Sequence, residues 1–195
     1  MKRLLLSLLL LAPLARAQVV TEPAPPLWPD PKKFAKGPFA SGELGALVFF
    51  GRAGRYASAG PVFGVRLGWD ILRWLDVQAH VTGSSHDAET PPPTFGQSFQ
   101  TLMYTGEVRL KLQIRRFQIF GEGGAGLGQI TSNVLDQVGV TDGNQFTLVV
   151  IAGLGVDYHT LNRHFSVGLG ADYLFLYDWH QTNSLTAQAY LRYTY

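Results

Sequence analysis

From Phe39 onward the chain alternates apolar and polar residues with a period of two, the spacing of a β-strand with one face in an apolar medium. The clearest stretch sets Leu102, Tyr104, Gly106, Val108, Leu110 and Leu112 against Thr101, Met103, Thr105, Glu107, Arg109 and Lys111. Another sets Phe63, Val65, Leu67 and Trp69 against Gly64, Arg66, Gly68 and Asp70, and a third Leu75, Val77, Ala79 and Val81 against Asp76, Gln78, His80 and Thr82. Similar segments start at Phe117, Phe146, Phe165 and Leu185. The first, Phe39 to Gly51, is less regular; Leu44, Ala46, Val48 and Phe50 are placed outward because that turns Glu43 inward. Together they predict eight strands, mostly long enough for a bilayer, which takes about 9–11 tilted residues.

The connections alternate in length. Long ones lie near Arg52–Gly60, Ser84–Ser98, Gln129–Asn144 and Asp178–Ser184; short ones near Asp70–Trp74, Gln113–Arg116 and His159–Arg163. Long outer loops with short periplasmic turns are the pattern of an outer-membrane barrel. The expected fold is an all-β, eight-stranded antiparallel transmembrane up-and-down barrel over residues 38–195.

A soluble barrel would share the period but point its apolar face inward. Here the polar face is rich in Gly and Thr and poor in Lys, a weak face for water. Aromatics on the apolar face gather at strand ends. Phe50, Phe63, Tyr104, Phe146, Phe175 and Tyr177 form one predicted ring; Trp69, Phe117, Tyr158, Phe165, Tyr193 and Tyr195 form the other. Two aromatic girdles around an aliphatic band match the two membrane interfaces.

These features resemble the OmpA/OmpX-like family of small outer-membrane barrels. The resemblance covers Phe39 to Tyr195 and is carried by strand count, loop alternation, the strand–turn–strand run from Leu67 to Ala79 and the terminal Tyr193-Thr194-Tyr195. It implies that Leu191, Tyr193 and Tyr195 form a C-terminal signal read by the barrel-assembly machinery, although the family usually ends in Phe. It also leaves room for a gated conductance path through the lumen.

The N-terminus reads as an address. Lys2-Arg3 precedes the apolar run Leu4–Leu11, Pro13 ends it, and Ala15-Arg16-Ala17 fits small-x-small cleavage, which makes residues 1–17 a signal peptide. Residues 18–37, with five prolines followed by Lys32, Lys33 and Lys36, form a semi-rigid periplasmic linker. Composition agrees with export into a membrane. Charged residues are 15% of the chain, against about 25% in ordinary soluble domains. Cysteine is absent, so neither disulfides nor thiolate metal sites arise. Three of the 16 Lys and Arg leave with the signal peptide, so 13 face 14 acids and the net charge becomes −1. Nucleic acid is therefore not an expected partner.

Candidate chemistry is sparse. Gly121-Glu-Gly123-Gly-Ala-Gly126 matches G-x-G-x-x-G, but Leu127-Gly128-Gln129-Ile130 continues the strand rather than opening a helix, so no cofactor is expected and close strand approach explains the glycines. Arg66, Glu107, Arg109 and Glu122 point inward near mid-height, with Asp172 and Arg192 as possible additions. An eight-stranded barrel is just wide enough to be filled by side chains, so these charges are expected to pair into a salt-bridge plug. His80, His86, His159, His164 and His180 lack metal-ligand spacing and read as surface residues. Asp178, His180 and Ser184 lie close in sequence at the outer rim, where a lipid-modifying enzyme would need a nucleophile, base and acid.

The leading expectation is a non-enzymatic barrel with a plugged lumen that supports the envelope or presents loops to partners. Transport of a small or apolar solute and lipid A modification are the alternatives. Expected partners are outer-membrane lipid, the assembly machinery, and envelope proteins reached through the outer loops or the linker.

Overall fold

A computed structural model describes residues 37–89, 97–132, 134–160, 164–180 and 182–195. The first 36 residues, which hold the expected signal peptide and nearly all of the linker, lie outside the described residues. No helix among the described residues is long and apolar enough to cross a membrane.

The eight segments form strands β1 (Pro38–Gly51), β2 (Gly60–Leu72), β3 (Leu75–Asp87), β4 (Ser98–Ile114), β5 (Phe117–Thr131), β6 (Phe146–His159), β7 (Phe165–Leu176) and β8 (Thr182–Thr194). Each pairs antiparallel with its sequence neighbour, and β1 closes on β8 through Phe39↔Thr194 to Gly51↔Thr182. Closure satisfies both edges, which hydrocarbon demands because no water is there to hydrogen-bond an open strand.

Inward and outward faces follow the period of two. Outward Leu44, Val65, Leu67, Leu110, Leu112, Leu154 and Leu169 are exposed, as a lipid-facing wall must be. Phe50, Phe63, Tyr104, Phe146, Phe175 and Tyr177 surround the end that carries the long loops. Trp69, Phe117, Tyr158, Phe165 and Tyr195 surround the short-turn end, together with Trp74.

The strands run further than alternation alone indicates. The connection expected from Ser84 to Ser98 begins later, because β3 continues to Asp87 by pairing Ser84–Asp87 with Thr101–Ser98 of β4. Ala57 bridges Ala88 beyond that end. Ser84 and His86 thus lie inside the barrel rather than on an exposed loop. Pro91, Pro92 and Pro93 lie outside the described residues. β5 likewise extends to Thr131, and β8 begins at Thr182. Backbone hydrogen bonds sustain a ladder where side-chain alternation has already faded.

The Gly121–Gly126 run sits in the middle of β5 and leads into more strand. A Cβ on Gly126 would lie 1.8 Å from the Tyr104 carbonyl oxygen, and one on Gly124 would lie 2.2 Å from that of Gly106. The inward glycines therefore permit a backbone approach that no side chain would allow.

Candidate functional site: a filled lumen

The inward side chains fill the barrel in three layers. Nearest the short turns, Asp70 and Asp76 from the β2–β3 hairpin face Lys111 of β4 and Arg192 of β8. Arg192 Nη2 donates to both Asp70 oxygens at 2.7 and 2.8 Å, and its Nη1 lies 3.2 Å from Asp76. Lys111 Nζ lies 3.1 Å from Asp76 and also bonds Asp70. The Phe39 ring covers the Arg192 guanidinium at 3.5 Å, a contact favoured by the ring's negative face.

At mid-height the network spans strands that are not neighbours. Arg66 of β2 reaches Glu122 of β5 at 3.0 Å, Asp172 of β7 at 3.1 Å and Glu43 of β1 at 3.1 Å. Arg109 of β4 bonds Glu122 through Nη2 at 2.8 Å and Nε at 2.9 Å, and stacks on Phe120 at 3.9 Å. Glu122 is thus the shared acceptor of two arginines, and Gln78 Nε2 donates to it as well at 2.9 Å. Tyr190 donates its hydroxyl to Asp157 and packs edge-on against Phe120.

Of the four charges expected to plug the lumen, Arg66, Arg109 and Glu122 meet directly. Glu107 does not join them through an arginine. It accepts from Gln78 at 2.6 Å and Thr105 at 2.6 Å, and it pairs with His80 at 2.8 Å. The expected four-charge plug is corrected accordingly: Glu107 pairs with His80, not with Arg66 or Arg109. Asp172 joins the mid-height set, whereas Arg192 belongs to the layer below.

The histidine expectation is corrected at two positions. His80 is buried between Glu43 and Glu107, and a period-two position facing the lumen is what puts it there. His86 is also buried; it donates from Nδ1 to the Ser58 carbonyl at 2.9 Å and packs between Phe49 and Phe99.

The third layer lies outside the sequence-based expectations. Toward the outer loops the inward residues turn apolar: Leu47, Phe49, Val62, Phe99, Met103, Ile130, Val149, Ile151, Leu174 and Leu176. Ala53 from a short 3-10 turn, Leu135 and Val140 from the β5–β6 loop, and Trp179 from the β7–β8 loop cover them. The His180 amide bonds the Val140 carbonyl at 3.0 Å and so ties two loops together over this layer. Trp179 is only 1% exposed. The sequence does carry a signal for it. In Leu47–Phe50, Val149–Ile151 and Leu174–Leu176 both faces are apolar, which a water-filled lumen would not tolerate.

Asp178, His180 and Ser184 serve three separate places. His180 Nε2 pairs with Asp142 at 2.5 Å, the Asp178 carboxylate accepts the Leu148 amide at 3.1 Å, and Ser184 is wholly buried on the inward face. They do not form a nucleophile, base and acid in sequence.

A closed eight-stranded barrel, apolar outside, girdled by aromatics and filled inside, defines a small outer-membrane β-barrel. The chain belongs to the outer membrane protein beta-barrel domain family, whose model matches residues 5–193. Solved structures share the fold at low identity. Neisserial surface protein A is 12% identical with a TM-score of 0.63, covering 84% of this chain and 100% of its own. Outer membrane protein OprG from Pseudomonas aeruginosa is 12% identical with a TM-score of 0.57, covering 85% and 99%. Ail, the attachment invasion locus protein of Yersinia pestis, is 13% identical with a TM-score of 0.53, covering 82% and 99%. No curated protein matches the chain in sequence.

Proposed function

We propose that this protein is a closed, non-enzymatic barrel that anchors in the outer membrane and acts through its outer loops, by supporting the envelope or by contacting partners there. The observation that carries this reading is the filled lumen. Arg66 and Arg109 are each 1% exposed at mid-height, and Leu47 and Val149 are wholly buried above them. A water path would have to cross both a paired charge layer and an apolar layer, and each excludes it for a different reason: the first has its charges already satisfied, and the second offers water no partner. Proteins of the same fold include a neisserial surface protein and an attachment invasion locus protein, which makes loop-mediated contact a natural use of such a scaffold.

The test is electrical. Purified protein in planar bilayers should give no steady conductance, and liposomes carrying it should not swell in small sugars. Large, stable channels would overturn the closed lumen and favour the transport reading. Unchanged lipid A masses in cells with and without the protein are expected as well; a shift would reverse the non-enzymatic assignment.

Export by a cleaved segment 1–17, a periplasmic linker over 18–37 and recognition of Leu191, Tyr193 and Tyr195 by the assembly machinery belong to the same proposal. What supports the last is position: Tyr193 and Tyr195 pack edge to face at 4.8 Å at the short-turn end, and the Tyr195 amide closes on the Pro38 carbonyl at 3.0 Å.

A further inference from the structure

The carboxyl groups of the lumen outnumber its fixed cations. Among the described residues, Glu43, Asp70, Asp76, Glu107, Glu122, Asp157 and Asp172 are buried, against Arg66, Arg109, Lys111 and Arg192. The layer near the short turns is even, because Asp70 and Asp76 face Lys111 and Arg192. The excess therefore falls at mid-height, where the other five carboxyl groups share Arg66 and Arg109. A low-dielectric interior does not keep such an excess ionised without a further counter-charge.

His80 lies where that counter-charge is wanted. Its Nδ1 is 2.8 Å from Glu107 Oε1; its Nε2 contacts Glu43 Oε1 and lies 2.6 Å from the Thr82 hydroxyl. A neutral imidazole has one N–H, so one ring nitrogen would turn a lone pair toward a carboxylate. An imidazolium donates to both. Each carboxylate is already arranged as an acceptor: Glu43 Oε2 meets Arg66 Nε at 3.1 Å, and Glu107 accepts from Gln78 and Thr105. The extra proton thus belongs on the ring. Around it stand Glu43 of β1, Arg66 of β2, Glu107 and Arg109 of β4, Glu122 of β5 and Asp172 of β7. The Asp157–Tyr190 pair of β6 and β8 lies beyond them. Arg66, cross-strand partner of His80, is itself shared among Glu43, Glu122 and Asp172.

We propose that closing the barrel binds one proton at the Glu43–His80–Glu107 site, which makes the lumen a pH-sensitive lock that weakens in alkaline medium. In the unfolded chain the three groups are apart, and the ring is neutral above the ordinary histidine value of about 6.5. The folded barrel then holds one proton more than the unfolded chain. Its folding constant falls as pH rises, by up to about tenfold per pH unit, and the contribution is fully present below about pH 6.5. The site depends on the barrel interior alone and stands whether or not the outer loops meet a partner.

Glu43→Gln is the deciding variant. Its amide oxygen still accepts from Arg66 and its amide nitrogen donates to the ring, so a neutral His80 satisfies the site without the extra proton. Full-length protein and variant are equilibrated with liposomes in urea between about pH 7 and 9. The wild-type folding constant should fall more steeply than the variant's, by up to about tenfold per pH unit. In histidine nitrogen-15 spectra at about pH 8, well above the ordinary histidine value, one wild-type ring should carry protons on both nitrogens, and Glu43→Gln should lose that signal. Parallel pH curves would overturn the site, as would a doubly protonated ring that persists in the variant. Should Glu43→Gln fail to fold, the wild-type spectrum decides alone, and neutral rings throughout would overturn the proposal.

Discussion

Glu122 joins the two mid-height arginines of the lumen. Two guanidiniums converge on its carboxylate, and Gln78 adds a third donor. Removing it leaves Arg66 with Glu43 and Asp172, and leaves Arg109 only the more distant Asp157 at 4.0 Å. Breaking one side of a buried ion pair costs about 3–5 kcal/mol. Removing Glu107 deprives His80, Gln78 and Thr105 of an acceptor but leaves both arginines their ion pairs, a loss nearer the ~1–3 kcal/mol of an unmade buried hydrogen bond. Glu122→Ala should therefore destabilise the barrel more than Glu107→Ala, as read from urea midpoints of heat-modifiable protein in liposomes. The reverse order would refute the assignment of Glu122 as the shared acceptor. Alternation turned all four charges inward on sequence grounds alone. It could not say which would touch, because Arg66 and Glu122 stand on strands two and five and meet only across a closed lumen.

Among the strands, β8 combines two jobs on opposite faces. Its outward row ends in Leu191, Tyr193 and Tyr195, and its inward row carries Gln188, Tyr190 and Arg192. Tyr190 is not a spare lumen residue: it bonds Asp157, packs on Phe120 and lies 5.6 Å below the Arg109 guanidinium. The two faces should separate in experiment. Deleting Tyr195 should lower the fraction of folded protein in outer-membrane preparations while the protein that does insert melts near normally. Tyr190→Ala should insert but unfold more easily, by about 1–3 kcal/mol, because buried Asp157 loses the donor on one carboxylate oxygen and keeps Gln118 Nε2, at 3.3 Å, on the other. A Tyr195 deletion that folds fully in cells would remove the assembly-signal reading. The strand cores of this element were readable from period two, whereas its start at Thr182 was not, because there the β1 ladder extends it past the last alternating pair.

For the whole molecule, the filled interior and the two unlike ends set the expectations. The protein should be closed to ions, oriented with its short turns toward the periplasm, and delivered there by an N-terminal segment that is then removed. Its mature form should begin at Gln18. N-terminal sequencing of membrane-extracted protein that still reads Met1 would remove the cleavage site. What the sequence by itself determined was the strand count, the face of each side chain, the girdles and the outer-membrane class, because each of these is local: a period of two and a bilayer's thickness decide them without reference to distant residues. What only the tertiary structure decided was the partner of each inward charge, the pairing of His80 with Glu43 and Glu107, the burial of His86, and the apolar layer under Trp179. Those depend on which strands face one another across the barrel and on loops folding back over its mouth, and no spacing along the chain encodes a distance across a closed lumen.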